Sequence, residues 1–292
     1  MRCKMTFGWA AAIIAAWMTV EAEAIELTTA VGRGADTYIN GEGTLYHYGD
    51  SNFGALTTMQ MRRSGGDYTR KIYVRFDTLG IHANDVTLRF TVSSIINQSV
   101  ADTTVNVWGL NDGVLGTDNS SPPNGSYLDD EDIHDEFWPE LVIDWFSAPG
   151  NLGDTTVDST KTSLLGTFLV PQVSPTGTVV TFNHPNLLSM IQNDTNGLIT
   201  LILQPSVGTD YINFYTKEHG TAAYSPTLVF PTAVCTWDGQ GGADKNWSQA
   251  TNWDTDGLPL DAATFTNFAT ATAGTVTSVV DEGFTVGTLT FE

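Results

Sequence analysis

Cysteine is almost missing from this chain: Cys3 and Cys235 are the only two. Cys3 falls in an N-terminal segment read below as a cleaved leader. One thiol is then left, which excludes an internal disulfide and a cysteine-based zinc site. Positive charge is scarce as well, with 12 Lys and Arg against 33 Asp and Glu and a net charge of −21. That balance argues against nucleic acid as a partner, because neutralising phosphates takes a basic surface. It suits a salty solvent, where exposed charges are screened over short distances. Long apolar runs are lacking too. The one extended run, FGWAAAIIAAWMTV (7–20), is shorter than the roughly 20 residues needed to span a bilayer. Helical periodicity is the last absence. Only HPNLLSMIQND (184–194), with Leu187, Leu188 and Ile191 on one side, reads as a helix.

What is present begins with an export signal. Arg2 and Lys4 precede the apolar run, and Ala22-Glu23-Ala24 follows it as an A-x-A cleavage site. Residues 1–24 are therefore expected to be a signal peptide, and the protein to be secreted or held at the cell surface. No membrane partner is expected after cleavage. Arg2, Lys4, Glu21 and Glu23 would leave together, so the net charge is unchanged.

From Ile25 onward, short alternating runs rich in Thr and Val recur between clusters of Gly, Asn and Asp. This spacing predicts an all-β chain of the sandwich or barrel type. Expected strands are 72–76, 86–92, 103–109, 177–182, 198–204, 211–216 and 226–230. A polar, acidic insertion spans about 111–162 and reads as long loops around a short structured core, FWPELVIDW. Composition shifts near 231–235. Residues 25–231 are assigned to a sandwich, and 232–292 to a β-rich segment with Lys245 as its one base.

The scarce cations are not spread evenly. Arg62, Arg63, Arg70, Lys71 and Arg75 crowd into a few turns of chain around RKIYVRFD (70–77). Strand alternation puts Ile72, Val74 and Phe76 on one face and Lys71, Tyr73 and Arg75 on the other. VTLRFTV repeats the pattern, with Arg89 opposite Leu88 and Phe90. In YINFYTKE, Ile212 and Phe214 oppose Tyr211, Asn213, Tyr215 and Lys217. If these strands are neighbours, their outer faces form a basic, aromatic plate suited to sugar. Rings stack on pyranose faces, and Arg or Lys pairs with sugar carboxylates. The same cations would equally serve to tie strands to nearby acids such as Asp36, Asp77 and Glu218.

Several segments resemble a known family in order along the chain. ADTYINGEG (35–43), YGDSNFGALTTMQMRR (48–63), RKIYVRFDTLGI (70–81) and VTLRF (86–90) resemble the opening of DNRLRE domains. VWGLNDG followed by FWPELVIDWFSAPGN resembles that family's Trp-x-Glu and Trp-Asn-Asn-Ala-Pro segment. INFYTKEHGTAAYSPTLVF (212–230) resembles its closing Lys-Glu and Pro-x-Leu run. The resemblance implies a jelly-roll β-sandwich that binds carbohydrate, alginate among them, through a basic groove. The matching positions are Arg70, Lys71, Arg75 and Lys217. A neutral glycan would instead use Tyr73, Tyr211, Tyr215 and Trp108 for stacking. Asp144 and Phe146-Ser147 depart from the family pattern, which has Thr and paired Asn there. The tail from Cys235 resembles the start of autotransporter-associated β-strand repeats, which stack into solenoids. About one such unit is read.

Catalytic constellations are not seen. His47, His82, His134, His184 and His219 form no H-E-x-x-H pattern, and no G-x-S-x-G elbow occurs. Glu140 and Asp144 are a carboxylate pair of the kind glycoside hydrolysis needs, but acids are plentiful here. Calcium is the one ion the composition favours, since oxygen ligands abound and no disulfide staples the fold. Its candidate ligands are Asp36, Asp129, Asp130 and Asp132.

The expectation is an exported, non-enzymatic module that binds a polysaccharide, an acidic one first, with no cofactor beyond structural calcium. Its candidate residues are Arg70, Lys71, Tyr73, Arg75, Arg89, Tyr211, Tyr215 and Lys217. The alternative is a structural or adhesive surface protein whose sandwich caps a repeat array in a larger assembly, without affinity for sugar.

Overall fold

In a computed structural model of the chain, the alternating runs become antiparallel strands. The structure describes residues 24–42, 48–64, 68–78, 81, 83–95, 102–112, 138–153, 155–231, 234–237, 246–249, 252, 262–265 and 288–291. The first strands are β1 (Ile25–Thr28), β2 (Ala35–Asn40), β3 (Thr58–Arg63) and β4 (Arg70–Asp77). Then come β5 (Thr87–Ile95) and β6 (Thr103–Leu110), the short pair β7 (Asn151–Leu152) and β8 (Thr156–Val157), and β9 (Thr162–Val170). After β10 (Val179–Phe182) lies helix α1 (Pro185–Gln192), followed by β11 (Leu198–Pro205), β12 (Thr209–Tyr215) and β13 (Thr227–Phe230). The tail contributes β14 (Val234–Trp237), β15 (Ala262–Phe265) and β16 (Thr288–Phe291).

Eleven strands form one curled antiparallel sheet, in the order β1-β13-β5-β12-β3-β4-β11-β6-β9, with β10 beside β5 and β2 beside β4. The chain is all-β, a half-barrel wrapped around its own apolar face. Ile72, Val74 and Phe76 enter that core with Val86, Leu88, Phe90, Val92, Ile212 and Phe214, on the faces their alternation predicts. Burying each such side chain is worth about 1.5–3 kcal/mol. α1 covers one end of the core with Leu187 and Ile191. His184 caps the helix by accepting from the Asn186 N–H at 3.2 Å, and Pro185 opens it.

The outer face of the β2-β4-β11-β6 region differs from expectation. It is not wet. Residues 138–158, read from sequence as part of a loop insertion, fold back across it and make a second core. Trp138, Ile143, Trp145, Ala148 and Val157 pack on Ala35, Ile39, Tyr73 and Ile202. Tyr73 and Trp138 meet edge to face at 6.1 Å. β2 and β11 are consequently buried at every position, on both faces.

The tail strands pair in parallel and in register, Val234 with Ala262 with Thr288, through Trp237 with Phe265 with Phe291. Parallel neighbours need long crossovers between them, the arrangement of stacked solenoid coils. Three such strands are stacked, where the sequence suggests about one unit.

Candidate functional site

The side chains expected to form an open plate separate into four groups. The first is a set of clamps under residues 138–158. Lys71 is 0% exposed. Its ammonium donates to Asn151 Oδ1 at 2.5 Å, to the Gly153 carbonyl at 2.9 Å and to the Thr156 carbonyl at 2.5 Å, and lies 4.8 Å over the Trp145 ring. Tyr73 donates its hydroxyl to the Pro149 carbonyl at 3.1 Å, and burial pushes its pKa up. Arg75 donates Nε to the Arg33 carbonyl at 2.7 Å and Nη1 to the Trp138 carbonyl at 2.8 Å, with its carbon 4.8 Å over the Trp138 ring. Desolvation by burial pulls its pKa down to about 10. Lys71, Tyr73 and Arg75 therefore do not face solvent. The sheet needed a lid for Ile202 and Ile39, and the lid's carbonyls needed donors.

Arg89 stands apart from these. It makes a two-pronged pair with Glu26 at 2.7 and 2.9 Å on the β5-β13-β1 side of the sheet. The Arg89 guanidinium lowers the Glu26 pKa through hydrogen bonding first and charge second. Tyr215 is half-buried in a ring cluster, 4.8 Å from Tyr224 and 4.3 Å from His219. Neither contributes to a shared face with β4.

The third group is an acidic node. Asp36, fully buried on β2, lies with Glu140 of the covering segment and Glu218 of the 3-10 turn Lys217–His219. Lys217 Nζ pairs with Glu140 Oε2 and donates to the Gly34 carbonyl at 3.3 Å, while its backbone N–H donates to Asp36 Oδ2 at 3.1 Å. Glu140 Oε1 accepts from the Asp36 N–H at 2.9 Å, and Thr29 donates its hydroxyl to Asp36 Oδ2. Burial raises the Asp36 pKa to about 7 against the Thr29 hydrogen bond and the Lys217 charge. Burial likewise raises Glu140, outweighing its bond to Lys217.

Asn52 donates to the Glu140 and Ile143 carbonyls at 2.8 and 2.9 Å, and Gly54 gives room beside them. A Cβ on Gly54 would stand 2.2 Å from the Glu140 carbonyl oxygen. Asp144, where the sequence departs from the family pattern, caps its own turn by accepting from the Phe146 and Ser147 N–H groups at 3.0 and 2.9 Å. The hydrolase-like pair Glu140 and Asp144 is thus engaged in holding the covering segment. Asp129, Asp130 and Asp132 lie outside the described residues.

The fourth group is the one that retains unpaired positive charge. Arg62 on β3 and Arg70 on β4 are direct cross-strand partners. Both guanidiniums lie over the Tyr211 ring, at 4.4 and 4.5 Å, and Arg62 also lies 5.1 Å over the exposed ring of Tyr68. Arg62 Nε and Arg70 Nε and Nη1 are buried and have no acceptor, and no carboxylate pairs with either arginine among the described residues. Like charges directly opposite one another destabilise a sheet. Burial raises the Tyr211 phenol, but the Arg70 and then Arg62 guanidiniums outweigh it and the pKa is lowered. Tyr38 is raised by burial despite Arg70 beside it. Of this group the plate expectation included Arg70 and Tyr211. It missed Arg62, Tyr68 and Tyr38, because the β3–β4 pairing that joins Arg62 to Arg70 is not visible in a local pattern.

No protein-family model matches this chain, and no curated protein matches it either. Fold and site together define a class only: a curled all-β sheet with one clamped face and one half-buried arginine-tyrosine cluster at which Tyr68 is exposed.

Proposed function

We propose that the protein is an exported, non-catalytic carbohydrate-binding module that holds a carboxylate-bearing polysaccharide at Arg62, Arg70, Tyr68 and Tyr211. The observation that carries this reading is the Arg62–Arg70 pair, two facing, half-buried guanidiniums that no carboxylate pairs with among the described residues. A sugar carboxylate would supply the counter-charge they lack, at the guanidinium edges that reach solvent, since arginine binds carboxylates through charge-assisted hydrogen bonds. The exposed Tyr68 ring offers a face for the pyranose beside it. An acidic ligand fits better than a neutral one, because Tyr73 is enclosed and Tyr215 is packed on other rings. The family resemblance points the same way, although Lys71 and Arg75 have other work.

Affinity electrophoresis of the chain in gels holding alginate, pectate or a neutral glucan tests the reading. Retardation is expected in the acidic gels alone. Arg70→Ala and Arg62→Ala should each weaken it about tenfold or more, as losing a charged hydrogen bond of ~1.5–3 kcal/mol implies, while melting near the parent temperature. Equal migration of parent and variants in every gel would sink the proposal.

A further inference from the structure

The acidic node holds more negative charge than its surroundings answer. Asp36 comes from β2, Glu140 from the covering segment and Glu218 from the turn after β12. One carboxylate oxygen from each lies within 4.8 Å of the other two. Lys217 is the cation bonded to this group among the described residues. It pairs with Glu140 and lies 3.9 Å from Glu218 Oε1. Three carboxylates against the one ammonium bonded to them leave an excess of two negative charges within the node; the Arg75 guanidinium acts on Glu140 through space but donates to the Arg33 and Trp138 carbonyls. Two oxygens, Asp36 Oδ1 and Glu218 Oε2, are buried and accept no hydrogen bond. Asp36 is 0% exposed. Buried polar atoms are nearly always satisfied, and an orphan carboxylate oxygen is the costly kind of exception.

We propose that Asp36, Glu140 and Glu218 form a divalent-cation site and that the ion is calcium. The donors are carboxylate oxygens with no nitrogen or sulfur among them, the set that hard cations take. Calcium accepts six to eight oxygens in irregular geometry, whereas magnesium demands a near-ideal octahedron. These three acids belong to pieces of chain fixed by the fold, not to a loop shaped for one ion. The excess charge equals that of one divalent ion. Asp36 Oδ1 and Glu218 Oε2 are the oxygens free to bind, and Lys217 keeps Glu140 in place. The ion would join β2, the covering segment and the 3-10 turn at one point, a staple in a chain that has two cysteines in all.

A proton on Asp36 is the rival means of settling the same charge. Its pKa, raised to about 7 by burial, means a proton stabilises the fold below the unfolded value. That stabilisation is lost as pH rises through about 7.

The test uses the whole chain in chelator-treated buffer at pH 8, on the alkaline side of the raised Asp36 pKa. Calcium should raise the melting temperature, and magnesium should raise it less. Terbium should give saturable luminescence, sensitised by nearby tryptophan and displaced by calcium. Glu218→Gln, at a side chain 24% exposed, should fold but bind calcium about tenfold more weakly or worse, since affinity follows ligand charge. No calcium-dependent shift at pH 8 overturns the proposal, and so does a full shift in Glu218→Gln, which would put the ion elsewhere. Stabilisation on acidification without any ion effect assigns the node to a proton and overturns it as well.

Discussion

Lys71 shows why a strand in an acidic protein gathers cations. Its ammonium has three acceptors arranged around it, two of them carbonyls of the segment that covers the sheet. A buried ammonium without such partners would lose its proton or unfold the site. With them it becomes the peg that holds the segment down. Lys71→Met keeps the length and apolar stem but leaves Asn151 Oδ1 and the Gly153 and Thr156 carbonyls without that donor. The expected loss of stability is about 3 kcal/mol, from stranding buried partners of a charge, read by urea denaturation. Retardation on alginate should be unchanged in the folded variant. A variant that keeps full stability but no longer binds would return Lys71 to the ligand site.

Among the elements, the covering segment has the largest consequence. Trp138 is its anchor: buried, donating Nε1 to Thr200 Oγ1 at 3.1 Å, with Tyr73 at its edge and Arg75 on its ring. Trp138→Ala should cost about 3–5 kcal/mol. Hydrogen exchange should then speed up across 138–153 before it does in β4 or β11, because the half-barrel core is a separate cluster. Uniform acceleration over both would show that segment and barrel unfold as one unit.

Much of this element structure could be read in advance. All seven expected strands exist, α1 falls within 184–194, and alternation assigns the inward faces of β4, β5 and β12 correctly. Of the eleven strands of the main sheet, β1, β2, β3 and β9 are not among those read from sequence. The covered face was missed despite a signal. LITLILQ in β11 places Leu198 and Ile202 on the face opposite Ile199, Leu201 and Leu203, a near-continuous apolar run of the kind found in strands buried on both sides, and FWPELVIDW supplies the tryptophans to bury it. Local alternation names two faces of a strand; which one meets water depends on a segment far away in sequence.

At the scale of the whole molecule, the cations drawn inward matter as much as the acids left outside. The net charge is −21, yet Lys71 and Arg75 are buried and Arg89 and Lys217 are paired with glutamates. Among the described residues few cations are thus left to offset the acids, and Arg62 with Arg70 lack a carboxylate partner there. Salt should act on these two features in opposite directions. Screening shortens to about 10 Å at 0.1 M and about 3 Å at 1 M, so self-repulsion among exposed acids fades first. Exposed pairs such as Arg89–Glu26 are worth only about 0–1 kcal/mol and their loss is small beside it. Sodium chloride should then raise the melting temperature while weakening capture of alginate, because the Arg62–Arg70 attraction for a polyanion is screened in the same range. Melting curves and gel retardation from about 0.05 to about 0.5 M salt, over which the screening length falls roughly threefold, measure both trends on one preparation. Melting that falls with salt would mean that ion pairs outweigh repulsion. Capture that does not weaken would move the ligand away from the two arginines.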